Sequence, residues 1–307
     1  MCLCFEGNGG TCMKYLSVSE IAEQWKVSER SVRNYCAHGR VAGAVLKGKT
    51  WNIPKDAKKP ERINKKKEVP KTLLDIFREE KTTKYSGGIY HKTQIDFTYH
   101  SNHMEGSRLT YDQTRYIYET NTIEIENEAI NVDDIVETVN HFRCIDTIID
   151  QANLMLTETF IKNLHGMLKA GSSDSRKEWI AVGDYKKVSN KAGKMQTVHP
   201  EEVQKKMKEF LMEYNQKETK TLKDILDFHV KFEKIHPFQD GNGRVGRLII
   251  FKECLKYNIV PFIIEDDLKM LYYKGLNKWD QEEKCLMDVC LTAQDRYKTY
   301  LDYFRIK

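Results

Sequence analysis

The segment HPFQDGNGRVGR, residues 236–247, places several chemically active side chains beside a glycine-rich turn. Backbone N–H groups at such a turn can point at one anion, because glycine leaves them uncovered and a helix follows. Arg244 and Arg247 stand three residues apart on one helix face, where each guanidinium can bind phosphate oxygens. Asp240 offers a hard oxygen ligand for Mg²⁺, and a neutral His236 can take a proton from a hydroxyl. This combination indicates a nucleotidyl or phosphoryl transferase.

Two helices must hold this segment in place. The sequence LKDILDFHVKFEKI ends at Ile235 with helical apolar spacing, and RVGRLIIFKECL carries apolar Leu248 and Phe251 after the turn. The segment is therefore predicted to be a helix–loop–helix junction. Its glycines differ from a Walker-type phosphate loop, since GxxxxGK[ST] occurs nowhere in the chain.

The rest of the large C-terminal part is predicted to be mainly α-helical. From about Leu73 onward, apolar residues recur at i, i+3, i+4 and i+7. The exception is WIAVGDYKKVSNKAGKMQTVHP, residues 179–200, which predicts a short β-hairpin that turns at Asn190–Gly193. We therefore expect a helical bundle with one hairpin.

The N-terminal part predicts two short helices separated by a tight turn. Ser17 and Glu20 have the spacing of a capping box, and Ser28 is placed to cap a second helix. Helix, turn and helix in this arrangement are typical of DNA-binding modules. The second helix would expose side chains suited to phosphates and base edges, namely Arg30, Arg33 and Asn34.

A basic hairpin follows these helices. Residues 41–54, VAGAVLKGKTWNIP, predict two short strands joined by a turn that carries Lys47 and Lys49. Residues 14–58 resemble the winged helix-turn-helix of the MerR and excisionase type. That resemblance implies binding of duplex DNA through the second helix and the basic wing. A small helical module that binds protein, with its basic residues merely solvated, is the alternative.

Basic residues are concentrated near the N-terminus. Residues 1–70 contain 14 Lys and Arg against 7 Asp and Glu, a balance of +7. The whole chain carries +5, so the remainder carries −2. A basic N-terminal part points to an acidic partner.

We expect four segments along the chain. Residues 1–12 are predicted to be an extension, because MKYLSVSEIAEQW has the form of a domain start at Met13. A winged helix-turn-helix domain is predicted over residues 13–58. A basic linker follows over residues 59–72, and the mainly helical domain covers residues 73–307.

Composition excludes several classes of protein. Of 307 residues, 40% are hydrophobic and 31% charged, and no apolar run approaches the ~18–20 residues of a membrane span. The opening MCLCFEGNGGTC lacks the features of a secretory signal. The 8 cysteines show no CxxC pairs with histidine partners, so neither a zinc site nor a disulfide framework is indicated. We expect a cytoplasmic protein with no membrane partner.

The segment at residues 236–247 matches the Fic family signature HPFx(D/E)GNGRxxR at every specified position, and the resemblance extends over roughly residues 73–300. It implies a Fic-type helical bundle with a β-hairpin flap, and the activity of a protein adenylyltransferase. His236 would activate a Ser, Thr or Tyr hydroxyl of a protein, this chain included, for attack on the α-phosphate of ATP. Asp240 would hold Mg²⁺. The ATP phosphates would be bound by Gly241, Asn242, Gly243, Arg244 and Arg247.

The resemblance assigns two further regions. Lys186, Lys187 and Val188 fall where the family's flap pairs with an extended target segment, although GDYK stands where family flaps often have GxYR. A purely structural hairpin is the alternative. Tyr272 and Tyr273 resemble residues that line the adenine pocket, but adjacent aromatics are also typical of a core.

Residues 101–106, SNHMEG, fit the pattern (S/T)xxxE(G/N) of the family's inhibitory helix. By this resemblance Glu105, with Ser101, would pair with Arg247 and take the guanidinium that should hold the γ-phosphate of ATP. The enzyme would then inhibit itself. A surface glutamate ahead of the next helix is the alternative.

Two other functions stay open. In the first, the same fold removes AMP from a modified protein, and Glu105 orients the attacking water. In the second, the chain is a DNA-bound regulator whose Fic domain senses nucleotide. Assembly into a homo-oligomer is also left open.

Overall fold

The computed structural model describes residues 14–61, 71–124, 129–192 and 195–306. The chain divides into two units, Met1–Val69 and Pro70–Lys307. The predicted extension at residues 1–12 lies outside the described residues, and so do residues 62–70 of the predicted linker.

The N-terminal unit contains two helices and a small antiparallel sheet. Ser17 and Glu20 form the predicted capping box of the first helix, and the Ser28 hydroxyl caps the second. The sheet has three strands, one more than the two predicted, and the third strand in chain order lies between the first and the second. In chain order the elements are β1 (Tyr15–Leu16), α1 (Val18–Trp25), α2 (Glu29–Ala37), β2 (Val45–Lys47) and β3 (Thr50–Pro54).

A small core holds this unit together. Ile21 of α1, Val32 of α2 and Ile53 of β3 are fully buried and belong to one apolar cluster. The opposite side of α2 is exposed, and it carries Arg30, Arg33 and Asn34. Lys47 and Lys49 are also exposed, on either side of the turn between β2 and β3. The predicted positions of these five residues are therefore observed, and their binding to DNA stays a prediction.

In the described part of the C-terminal unit the regular elements are helices and one short hairpin, as predicted. Several of its helices begin with an N-cap side chain that accepts a backbone N–H of the first turn, for example Thr72, Thr110 and Thr221. Its helices are α3 (Leu73–Thr83), α4 (Ile89–Met104), α5 (Tyr111–Thr120), α6 (Val132–Gln151), α7 (Glu158–Lys169), α8 (Pro200–Gln216), α9 (Leu222–Ile235), α10 (Asn242–Lys256), α11 (Asp266–Lys278) and α12 (Glu283–Tyr303). None of the helices in the described ranges is long and apolar enough to cross a membrane.

Helix α10 runs through the centre of this unit. Residues 244–255 are all buried, and they pack against α3, α4, α6, α7 and α9. A helix buried on every side cannot shift without disturbing the core. The start of α10, where the glycine-rich segment lies, is therefore held rigidly.

The predicted hairpin is much shorter than residues 179–200. Its strands are β4 (Lys191–Ala192) and β5 (Met195–Gln196), which pair with Lys191 opposite Gln196. Residues 179–189 form turns and bends, although a strand of the hairpin was predicted there. The reason is tertiary: the backbone N–H groups of Lys186 and Val188 bond to the loop after α9, as described below. Gly193 of the predicted turn lies outside the described residues.

Candidate active site

His236 ends α9 in the left-handed conformation, with φ of 51°. Its N–H bonds to the carbonyl of Phe232 at 2.9 Å, so the helix stops there and the chain turns sharply. Only 17% of its side chain is exposed. Burial, and then the charge of Lys186, lower the pKa of His236 below its usual value. A neutral imidazole at pH 7 is able to accept a proton.

The loop after His236 is held by side chains rather than by regular structure. Asn242 accepts a hydrogen bond from the N–H of Phe238 and donates one to its carbonyl, both at 2.8 Å. The ring of His165 stacks on Phe238, with 3.9 Å between ring centres. His165 also accepts the N–H of Gly183 at 3.0 Å and lies 3.2 Å from the carbonyl of Asp240. The side chain of Asn242 is thus used within the loop, which leaves only its backbone for the predicted phosphate contact.

The turn itself has the geometry expected of an anion site. Gly241 has φ of 77° and precedes the first residue of α10, which begins at Asn242 rather than at Arg244. The first N–H groups of an α-helix have no partner within the helix, and they lie at its positive end. A Cβ on Gly243 would come within 2.3 Å of a carboxylate oxygen of Glu105. Glycine is therefore required at 243 for Glu105 to lie where it does.

Ser101, Glu105 and Arg247 meet as predicted, although 142 residues separate the last two. Nη2 of Arg247 donates to Oε1 of Glu105 at 2.7 Å and to the carbonyl of Ser101 at 2.9 Å. Its Nε donates to the Ser101 hydroxyl at 3.0 Å. Burial alone would lower the pKa of Arg247, but Glu105 outweighs it and raises that pKa. The guanidinium of Arg247 is thus bound by Glu105 and Ser101, next to Gly243 in the first turn of α10.

Arg244 is also paired with a carboxylate. Its Nη1 donates to Glu137 of α6, and its Nη2 lies 3.3 Å from Oδ2 of Asp240. Arg244 is buried, so these contacts replace most of its hydration. In this structure Arg244, which was predicted to bind phosphate, is held by protein carboxylates.

The predicted metal ligand, Asp240, belongs to a cluster of three acids. One oxygen from each of Glu137, Asp174 and Asp240 lies within 4.8 Å of the others. Burial opposes ionisation of Asp240, but Arg244 and Lys169 outweigh it and lower its pKa to about 2. Three charged carboxylates form a donor set that suits Mg²⁺.

An ammonium group already lies among these acids. Nζ of Lys169 is 2.6 Å from Asp240 and 2.7 Å from Asp174, and it also bonds to Glu137. The carboxylates therefore have a protein cation of their own. Mg²⁺ bound by this set would have to take the place of the ammonium or share the oxygens with it.

Lys186 does not have the exposed position that target docking would require. It is 3% exposed, and its Nζ donates to Asn190 and Thr197, both at 2.7 Å. Its N–H donates to the carbonyl of Pro237 at 2.9 Å, and Asn190 donates to that of Phe238. Burial lowers the pKa of Lys186 to about 8. The residue therefore joins the base of the hairpin to the loop after His236.

The other two predicted flap residues are accessible. Lys187 and Val188 are exposed, and the N–H of Val188 lies 3.4 Å from Oε1 of Gln239. Docking of a target segment here stays a prediction for these two residues.

Tyr272 belongs to the core, contrary to its predicted place in an adenine pocket. It is 1% exposed, and its hydroxyl bonds to Nε2 of the buried His229. Tyr272 is therefore a core aromatic, the alternative to a place in the adenine pocket. Tyr273 is half-buried, with its hydroxyl 3.5 Å from the carbonyl of Met104, and its contact with adenine stays a prediction.

Four ionisable residues at the site were not predicted: Glu137, Lys169, Asp174 and Glu233. Glu137 is 107 residues from its partner Arg244, and Lys169 is 71 residues from Asp240, so local spacing gave no signal for either. Glu233 is different. It lies one helical turn before His236, and this i, i+3 spacing alone could have indicated it.

Comparison with known proteins agrees with this geometry. The model of the Fic/DOC family matches residues 155–253. A protein adenylyltransferase Fic of Nematostella vectensis is 26% identical over 70% of this chain and 52% of its own length. The protein adenylyltransferase fic-1 of Caenorhabditis elegans is 26% identical over 61% of this chain and 36% of its own length. The chain thus spans about half or less of the length of these relatives.

Solved structures share the fold. A Fic domain containing signaling protein from Bacteroides thetaiotaomicron has a TM-score of 0.57 at 24% identity, over 75% of this chain and 90% of its own. Fic-1 (residues 134–508) from C. elegans has a TM-score of 0.60 at 16% identity, over 76% of this chain and 72% of its own. The Fic/DOC family model thus matches the part of the chain that contains the site, and the chain shares its fold with structures of Fic proteins.

Proposed function

We propose that this chain transfers AMP from ATP to a hydroxyl group of a protein, and that Glu105 keeps it inhibited. The observation that carries the proposal is the placement of His236 beside the N-terminus of α10, with Arg247 of the same helix bound by Glu105. Relatives named protein adenylyltransferase support the choice of reaction.

The proposed reaction is a displacement at the α-phosphorus of ATP. The imidazole of His236 takes the proton of a Ser, Thr or Tyr hydroxyl, and the hydroxyl oxygen forms a bond to the α-phosphorus. The bond from that phosphorus to the oxygen bridging to the β-phosphate breaks, and pyrophosphate leaves with the electron pair. The first N–H groups of α10, with Arg244 and Arg247, stabilise the negative charge on the phosphates.

Asp240 would hold Mg²⁺ for this reaction, with Glu137 and Asp174 in reach of the same ion. When bound, the ion supplies positive charge to the phosphate oxygens. The acids themselves repel a triphosphate, so their charge must be balanced before ATP can bind next to them. Lys169 provides part of that balance in this structure.

Inhibition follows from the position of Glu105. Its carboxylate binds the guanidinium of Arg247 and places negative charge beside Gly243, where phosphate oxygens would otherwise bind. ATP could then bind only with its triphosphate displaced, and the α-phosphorus would not face His236. Removal of Glu105 from this place is therefore the activating step.

The experiment is labelling with α-labelled ATP and Mg²⁺. Wild type, Glu105→Gly and the double variant Glu105→Gly/His236→Ala are each incubated alone and with cell lysate, and label and mass are measured on protein. We expect label only with Glu105→Gly. Glu105→Gln is the matched control, since it keeps the shape but not the charge, and it should give intermediate labelling. Equal labelling by wild type and Glu105→Gly would contradict the inhibition.

The same variants separate addition of AMP from its removal. Each is incubated with target protein already modified by the Glu105→Gly variant, and release of AMP is followed. Release of AMP by wild type but not by Glu105→Gly would mean that Glu105 serves hydrolysis, and would add removal of AMP to the proposed transfer.

For the N-terminal unit we propose binding of duplex DNA. The exposed face of α2 with Arg30, Arg33 and Asn34, and the basic turn between β2 and β3, support this proposal. Affinity of the full chain for duplex DNA should fall steeply with salt, and Arg30→Ala should weaken it. Affinity that does not change with salt would exclude phosphate contacts.

A further inference from the structure

Glu233 and His236 lie on successive turns at the end of α9, and their side chains face each other. Oε2 of Glu233 is 3.8 Å from Nδ1 of His236, and each side chain is 17% exposed. Nδ1 of His236 and Oε1 of Glu233 are buried atoms without a hydrogen-bond partner among the described residues. Buried polar atoms in folded proteins are almost always paired, so an unpaired Nδ1 with a carboxylate oxygen 3.8 Å away requires an explanation.

We propose that Glu233 is the positioning residue of His236, with its carboxylate accepting the proton on Nδ1. This inference rests on the adenylyl transfer proposed above. A small side-chain rotation brings Nδ1 of His236 and Oε2 of Glu233 from 3.8 Å to hydrogen-bond distance. A single water that bridges them serves the same purpose.

The arrangement determines which nitrogen acts as the base. With its proton held on Nδ1 by Glu233, His236 presents the lone pair of Nε2 to the target hydroxyl. When Nε2 takes the hydroxyl proton, the imidazolium bears a positive charge beside the carboxylate and is stabilised by it. Glu233 keeps its charge throughout, and no proton passes to it.

Glu105 affects Glu233 as well as Arg247. Burial, and then the charge of Glu105, raise the pKa of Glu233 to about 7, against the opposite effect of Arg247. At neutral pH a large fraction of Glu233 therefore carries a proton while Glu105 is in place, and in that form it cannot accept from Nδ1. Departure of Glu105 removes this repulsion. The same movement would free Arg247 and lower the pKa of Glu233, so that a larger fraction of it is the carboxylate behind His236.

Other ionisable groups face this pair from each neighbouring element. His229 lies on α9 itself, with Nε2 at 4.0 Å from Oε1 of Glu233. The remaining groups are Glu105 after α4, Lys186 before the hairpin, Asp240 of the loop, Arg247 of α10, and Tyr272 and Tyr273 of α11. The pKa of His229 is lowered to about 3 by burial and Arg247, so it stays neutral and does not compete for the carboxylate charge.

The first test is a histidine titration by NMR, which does not depend on AMP transfer. Full-length Glu105→Gly protein is labelled on histidine, and the His236 signals are identified by their loss in the added His236→Ala variant. We expect Glu233→Gln to lower the pKa of His236 by about one unit. Nitrogen shifts should also show that the proton no longer resides mainly on Nδ1. Glu233→Asp, which keeps the charge, should restore part of both.

The second test is kinetic, in the same Glu105→Gly background. Glu233→Gln should lower kcat by roughly 10- to 100-fold with KM for ATP unchanged, and should move the acid limb of the pH profile to lower pH. The control is Glu213→Gln, an exposed carboxylate of α8 that pairs with Lys231, and it should leave kcat and the profile unchanged.

An unchanged His236 pKa in Glu233→Gln, with kcat within twofold of the parent, would overturn the proposal. The backbone carbonyl of Glu233, which also raises the pKa of His236, would then be its sufficient partner. If Glu105→Gly transfers no AMP at all, the proposed function fails, and the NMR titration still decides the role of Glu233.

Discussion

The two arginines of the glycine-rich segment lie three residues apart on one helix, yet their surroundings differ in kind. Arg247 contacts one carboxylate, that of Glu105. Glu105 is the residue directly after α4, and its side chain is 28% exposed. Arg244 contacts Glu137 in the interior of α6, in a network that also includes Lys169 and Asp240. A partner at a helix end can move away alone, whereas a network drawn from three helices and the loop cannot. The difference separates a removable contact from a permanent one.

The largest expected effect comes from breaking the permanent network at its central cation. Lys169→Met would leave Glu137, Asp174 and Asp240 close together, with Arg244 and the half-exposed Lys177 as the remaining cations that contact them. Uncompensated buried charge of this kind costs about 3–5 kcal/mol of unfolding free energy. Mg²⁺ should restore part of that loss, because the freed carboxylates form a cation site, while it should change the stability of wild type little.

Urea denaturation with and without Mg²⁺ measures both effects. The matched control is Lys162→Met on the same helix, whose partner Asp184 is largely exposed, and it should cost about 1 kcal/mol or less. A Lys169→Met variant as stable as this control, or indifferent to Mg²⁺, would show that the network around Arg244 is no more permanent than a surface pair.

The next effect sharpens the comparison on the Arg247 side, through the pH dependence of stability. The pKa of Glu233 is raised from 4.5 to about 7, so the folded protein holds this proton more tightly than the unfolded chain. The resulting stabilisation is complete below pH 4.5 and is lost as pH rises through about 7. Glu233→Gln cannot ionise. Its stability relative to wild type should therefore increase between pH 5 and pH 8, by up to about 3 kcal/mol.

Urea midpoints of the two proteins at pH 5 and pH 8 measure this difference. In the Glu105→Gly background the difference should shrink, because a carboxylate that raises the pKa of Glu233 is gone. A difference that is the same at both pH values would mean that the pKa of Glu233 is not raised. A pH dependence that Glu105→Gly leaves unchanged would mean that Glu105 does not act on Glu233.

The comparison also explains what the sequence could predict. Part of the loop at residues 236–247 depends on contacts only a few residues apart, such as Asn242 with Phe238, and its glycine-rich turn between two helices followed from residue types and spacing. Its contacts with the distant His165 and Asn190 did not. The partner of Arg247 was identified through a family pattern at residues 101–106, since no physical signal links two positions 142 residues apart. Glu137 and Lys169 belong to no such pattern, so the network around Arg244 was invisible before folding.

The errors have the same origin. The hairpin was predicted too long because the sequence does not show that Lys186 and Asn190 bond to Pro237 and Phe238 across the fold. Tyr272 was assigned to a ligand pocket by resemblance to a family segment, and that resemblance does not show the buried His229 that its hydroxyl contacts. In both cases a tertiary contact decided the outcome.

The smallest effect tests the removable contact without touching either charged partner. A Cβ on Gly243 would lie 2.3 Å from Oε1 of Glu105 and 3.0 Å from Nη1 of Arg247. Gly243→Ala should therefore displace the Glu105 side chain, which is free to turn toward solvent, while Arg247 stays in the core. We expect roughly a tenfold rise in AMP transfer over wild type, the factor associated with loss of one charge-assisted hydrogen bond.

The double variant Glu105→Gly/Gly243→Ala decides whether that rise has this cause. If the methyl group acts only by displacing Glu105, adding it to Glu105→Gly should change transfer little, and the two substitutions should be strongly non-additive. If instead Gly243→Ala lowers transfer equally in both backgrounds, the methyl group obstructs the phosphates themselves. Glycine at 243 would then serve the anion site alone, and the close fit of Glu105 against it would be a consequence of that requirement rather than a means of inhibition.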